Sequence, residues 1–129
     1  MAQNDRKDRI KALKTAFITE RLDLSSAEAE KFWPIYNAFE SKMESIRKNE
    51  RRESRIKIGE GVDKMTEAEA SNFIDKSIAF REKEVGHRKQ FLQDLKLAIS
   101  SKKIIQLIKS EDDFKRRLLE RIKQRKRER

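Results

Sequence analysis

The sequence predicts an all-α protein of four helices, two of them long, and three observations predict it. First, an apolar residue is three times followed by Ser or Thr, two further residues and a long charged side chain. These runs are Leu24-Ser25-Ser26-Ala27-Glu28, Met65-Thr66-Glu67-Ala68-Glu69 and Ile99-Ser100-Ser101-Lys102-Lys103. Second, the 129 residues include one Pro and three Gly, with 43% charged side chains, a composition of solvated helices rather than of a sheet. Third, apolar residues between those runs recur at spacings of three and four.

Each run reads as a helix start. The hydroxyl at the N-cap accepts from an otherwise unpaired backbone N–H, and a Glu three residues on reaches back to the N-cap N–H. The apolar residue before the cap can pack on the fourth helical residue, here Ala29, Ala70 or Ile104. The third run has Lys103 where the reciprocal acceptor belongs, so it keeps half of the arrangement. Three starts after an opening segment make four helices.

The first helix is expected over residues 4–22, with Ile10, Leu13, Phe17 and Ile18 on one face. A break at Asp23-Leu24 turns the chain back into a second helix from about Ser26. There Ala29, Phe32, Tyr36, Phe39, Met43 and Ile46 form a heptad seam. Pro34 removes a ladder bond about two turns in and predicts a kink. Beyond Ile46 the seam continues through Glu50, Glu53 and Lys57, all polar, so about three turns have no local core to lie on. Gly59 and Gly61 end the helix.

The third helix, over residues 67–98, splits its apolar residues into two stripes. Ile74, Ile78, Val85, Leu92 and Leu95 form one; Ala70, Phe73, Phe80 and Phe91 form the other. The fourth starts at about Ser101 and carries Ile104, Ile105, Leu107, Ile108, Phe114, Leu118, Leu119 and Ile122. From residue 123 no apolar anchor follows, and a frayed basic tail is expected. The whole chain reads as a single domain of elongated helices. With 36 large apolar residues the core is thin, and pairing with a second copy would bury more of them.

The formal charge is +10. Residues 115–129 hold nine basic and two acidic side chains, and residues 42–57 hold seven and three. No apolar run approaches the roughly 20 residues that cross a bilayer, so no membrane insertion is expected. The segment Met1-Ala2-Gln3-Asn4-Asp5 has no apolar signal-peptide region. Zero Cys excludes disulfides and thiolate chemistry.

One His and no Cys leave few ways to build a nucleophile with its base, so no enzyme activity, metal site or cofactor is expected. Ser100 and Lys103 match a Ser-x-x-Lys spacing, but Ser100 reads as a cap hydroxyl. Glu111, Asp112 and Asp113 point in different directions on a helix and form a solvated acidic patch. His87 reads as a surface or interface residue.

The basic clusters admit a solvated helix surface, a nucleic-acid surface or a protein-binding surface. The nucleic-acid reading lacks aromatic residues for base stacking and any recognition-helix pattern, so no nucleic-acid partner is expected. In the protein-binding reading, Arg47, Arg51 and Arg55 draw in acidic segments while Ile46, Ile56, Ile58 and Met65 hold exposed apolar patches.

The helix-start runs at Leu24, Ser25 and Glu28 and at Ile99 and Ser100 resemble the two Leu-Thr-x-x-Gln motifs of the Spy/CpxP family of periplasmic stress proteins. The match is degenerate, with Ser for Thr, Glu or Lys for Gln, and Ile for Leu in the second. Phe17-Ile18-Thr19-Glu20 and Glu30-Lys31-Phe32-Trp33-Pro34-Ile35-Tyr36-Asn37 are similar to a branch labelled sensors of extracytoplasmic-function (ECF-type) sigma factors. Met65, Thr66 and Glu69 form the intervening start. The resemblance implies a thin, hooked, all-helical fold that dimerises into a curved cradle in the periplasm, with Ala2-Gln3 left after signal-peptide removal. It also implies ATP-independent chaperone activity or a role in envelope-stress signalling. The family's His-rich metal-binding segments are missing here.

Three functions follow as expectations. The first is a periplasmic homodimer that binds unfolded or misfolded proteins on a basic, partly apolar face. The second is a regulatory partner of a membrane stress sensor or anti-sigma protein. The third is a basic helical nucleic-acid-binding protein.

Overall fold

The computed structural model describes residues 2–128, with side chains from Asp5 onward. Helix α1 spans Ala2–Leu22, α2 Ser26–Gly59, α3 Glu67–Lys96 and α4 Ser101–Arg127, with a single 3-10 turn at Val62–Lys64. No strand occurs among the described residues. The protein is therefore all-α with four helices.

Local chemistry sets the helix starts. Ser25 Oγ accepts from Glu28 N at 3.2 Å while Ser25 N donates to Glu28 Oε1 at 3.0 Å, a reciprocal capping box. Thr66 Oγ1 accepts from Glu69 N at 3.1 Å, and Ser100 Oγ from Lys103 N at 3.3 Å. The ends are equally local. Asp23 closes α1 at φ 47°, a left-handed conformation that Asp tolerates, and donates its N–H to Thr19 O. Gly61, at φ 104°, makes the reversal after α2 that a side chain would oppose.

The chain forms two compact units. The first comprises the residues up to Glu30 and those from Ala98 onward; the second is Lys31–Leu97. The division falls within α2 because the second unit is a continuous excursion of the chain, whereas the first is assembled from its two ends.

In the first unit α1 packs directly on α4. The pair is antiparallel: Lys103 meets Asp23, Asp113 meets Arg21, and Arg117 meets Phe17. Ile18, Leu22, Ile99, Ile104 and Leu107 are buried. Ser110, wholly buried as well, donates to Gln106 O at 2.7 Å, so its hydroxyl needs no outside partner. Phe17 stacks obliquely on Phe114 at 5.7 Å beneath the Arg21 and Arg117 guanidinium groups. Ile10 and Leu13, read as part of the α1 core face, lie exposed, since that face finds cover only around Phe17, Ile18 and Leu22.

In the second unit aromatic side chains join α2 to α3. Phe39 stacks on Phe91 at 4.0 Å and 8° between planes, and Tyr36 meets Phe91 at 6.0 Å. Phe32, Tyr36 and Met43 are buried along the heptad seam, and Phe91 and Leu95 are buried opposite. Burying each of these is worth about 1.5–3 kcal/mol.

Helix α2 runs unbroken through Pro34. Three local expectations change. The polar turns after Ile46 are not without a neighbour: Arg47 Nε donates to Glu84 Oε2 at 2.8 Å and Lys57 Nζ stands 3.9 Å from Glu69 Oε2, so α3 accompanies them through charge rather than apolar contact. Helix α3 stops at Lys96, two residues early, where Leu97 N turns back to Asp94 O at 3.1 Å. The tail from residue 123 is helical through Arg127, because Lys, Arg, Gln and Glu are good helix formers and cations favour a helix C-terminus.

Candidate protein-binding surface

The two apolar stripes of α3 have opposite fates. Phe91 is buried and Ala70, Phe73 and Phe80 are half-buried, so this stripe faces α2. On the other, Leu95 is buried and Leu92 half-buried, but Ile74 is 57%, Ile78 52% and Val85 69% exposed. A helix neighbour covers only one arc, and the aromatic residues of α2 choose the Phe stripe.

Between the distal half of α2 and the first half of α3 lies an open groove of about 410 Å³. Ile56 and Phe73 supply its apolar lining, Glu50, Glu53 and Glu69 its carboxylates, and Lys57 and Lys76 its ammonium groups. The groove is thus of mixed charge with one carboxylate in excess.

That composition separates the residues expected to share one basic surface. Only Ile56 lines the groove. At about 100° per residue, Arg51, Arg55 and Ile58 fall on one flank of α2, whereas Ile56 stands about 140° from Arg51. Arg51, Arg55 and Ile58 are exposed, Ile46 and Met65 half-buried, and Arg47 is engaged by Glu84. The groove's Phe73 and Lys76, and Glu69 in this role, were not foreseen. The polar seam through Glu50, Glu53 and Lys57 was the signal, since a long helix keeps such a seam where its neighbour offers charges rather than apolar side chains.

The motif residues are placed by their hydrogen bonds. Leu24 is half-buried, Ile99 buried, and Ser25, Thr66 and Ser100 act as caps. Lys103 Nζ donates to Glu28 Oε1 at 2.8 Å and to Asp23 O at 3.0 Å, tying the third start to the first. That contact, with the Ser25 N–H, holds the Glu28 carboxyl below its ordinary range. Asp113 is engaged by Arg21 and Arg116, both at 3.3 Å. His87 is half-buried on α3.

Among the described residues no group of three or more His, Cys, Asp or Glu is arranged to hold a metal ion, and no helix is long and apolar enough to cross a membrane. No protein-family model, curated protein or solved structure matches the chain.

Proposed function

We propose that the chain is an ATP-independent, chaperone-like protein that binds unfolded or misfolded polypeptides in the periplasm as a homodimer. A single observation carries the reading: the second unit leaves Ile56, Ile58, Val62, Ile74, Ile78 and Val85 more than half exposed among alternating charges. Isolated exposed aliphatics are ordinary, but six on one helical hairpin, three about the α2–α3 turn and three along one stripe of α3, are apolar groups that gain by being covered.

The two regions take different occupants. Ile56, Ile58 and Val62 lie around the turn between α2 and α3, beside a groove that offers both signs of charge, which suits weak contacts with varied extended segments. The α3 stripe suits a second copy. Glu67 and Asp75 lie toward its N-terminal end and Lys89 and Lys96 toward its C-terminal end, so an antiparallel α3 pair brings acid beside base. The resemblance at Leu24, Ser25, Glu28, Ile99 and Ser100 supplies the periplasm and the curved cradle to this proposal.

The test is aggregation of a chemically denatured client diluted into buffer without nucleotide. Stoichiometric protein is expected to suppress light scattering, and Ile56→Asp with Ile58→Asp to lose most of that effect. Unchanged aggregation in the presence of the wild-type chain rules out the chaperone reading. A single saturable envelope partner, with no effect on denatured clients, would support regulation of a membrane stress sensor instead.

A further inference from the structure

We infer that the last turns of α4 form a docking surface for an anionic lipid bilayer. The inference is independent of the second unit and of the chaperone reading.

The apolar stripe of α4 is covered at one end and bare at the other. Ile104 and Leu107 are buried, whereas Leu119 is 50% and Ile122 45% exposed. The helix nevertheless continues regularly to Arg127. The bare end is strongly cationic, with eight basic and two acidic residues over 115–128.

The carboxylates are confined to the far face, while the cations run all round. At about 100° per residue, Lys115, Arg125 and Lys126 stand within about 60° of Ile122 and Arg121 and Lys123 at about 100° on either side, whereas Glu120 and Glu128 stand more than about 100° from it. Leu118 and Leu119 fall within the same arc as the three cations. Aliphatic side chains flanked by cations, with the carboxylates turned away, match the boundary between lipid headgroups and acyl chains. There, Lys and Arg place their charge among phosphates and lay their stems along apolar surface.

Charge argues against the other occupants. A second copy would set two helix ends of net +6 against each other. Nucleic acid needs the cations but has no use for Leu119 and Ile122, and residues 115–128 contain no aromatic side chain for base stacking.

The experiment is co-sedimentation of the full chain with vesicles of phosphatidylcholine containing about one-third phosphatidylglycerol, against phosphatidylcholine alone. The anionic vesicles are expected to capture the protein, the neutral ones to leave it in solution, and added salt to weaken capture. Leu119→Asp and Ile105→Asp each add one negative charge to an exposed position of α4, but only the first lies on the proposed arc. Leu119→Asp should lower partitioning by about tenfold or more, as a lost buried aliphatic plus a charge requires, and Ile105→Asp by no more than about twofold, with helical circular dichroism unchanged in both. Three results overturn the proposal: no capture by anionic vesicles, equal losses for the two variants, or displacement from the vesicles by duplex DNA at lower phosphate concentration.

Discussion

Lys103 occupies the place where the third helix-start motif lacks its acceptor, and its ammonium group completes the surroundings of the first. Nζ stands 2.8 Å from Glu28 Oε1 and 3.0 Å from the Asp23 carbonyl oxygen. One side chain therefore neutralises the capping carboxylate of α2 and satisfies a carbonyl at the end of α1, fastening three helix ends of the first unit.

Stability should consequently carry a Glu28-dependent acid limb. The folded carboxyl is held below its ordinary value of 4.5, first by the Lys103 hydrogen bond and then by the Ser25 N–H. Its contribution is complete above that value and is lost as pH falls through the lower folded value. Urea midpoints of the wild type and Lys103→Met, taken from pH 7 down to pH 3, should differ most at neutral pH and converge in acid. A constant difference would show that Lys103 acts by packing alone.

The three caps should cost alike to remove. Ser25→Ala, Thr66→Ala and Ser100→Ala each take one hydroxyl acceptor from a helix N–H, the Ser25 N–H keeping its bond to Glu28, and each should cost about 0.5–2 kcal/mol. Equilibrium urea unfolding measures all three.

Gly86 lies inside α3, and a methyl group there would meet nothing within 4 Å. Gly86→Ala should therefore stabilise the protein by about 0.5–1 kcal/mol, through helix propensity alone. A loss of stability would mean that another chain approaches this position closely.

Core positions should separate sharply from bare ones. Leu107→Ala, at a wholly buried site, is expected to cost about 2–5 kcal/mol, and Leu97→Ala, largely exposed, within about 0.5 kcal/mol of zero.

The proposed α3 pairing would have a register that cross-linking can read. With its two-fold axis near Arg81 and Glu82, Ile78 would lie opposite the partner copy's Val85, and only residues at the axis would meet themselves. Oxidised Glu82→Cys should form a disulfide-linked dimer, whereas Ile74→Cys alone should not, and mixing it with Lys89→Cys should restore the cross-link. Ile78→Asp should weaken dimerisation by about a hundredfold, as a charge replacing a buried aliphatic requires. A chain monomeric at high concentration excludes the pair.

Much of the fold was legible because its determinants are close in sequence. A hydroxyl and a backbone N–H three residues on decide a helix start, and Asp23 and Gly61 decide the reversals. The candidate surface was legible only in part. Ile56 and Ile58 were recognisable as apolar residues without a local core, but Arg51 and Arg55 belong to a different flank from Ile56. Two of the five charges of the groove, Glu69 and Lys76, come from α3, which periodicity within α2 cannot reveal.

The sequence by itself determined four helices, their starts and the aromatic seam from Phe32 to Met43, since capping and periodicity are short-range effects. Tertiary structure alone decided which α3 stripe is core and which is bare, that Glu84 takes Arg47, and that Lys103 serves Glu28 seventy-five residues away. Those outcomes depend on which helix faces meet, and both stripes of α3 had apolar residues enough to compete until Phe39 stacked on Phe91.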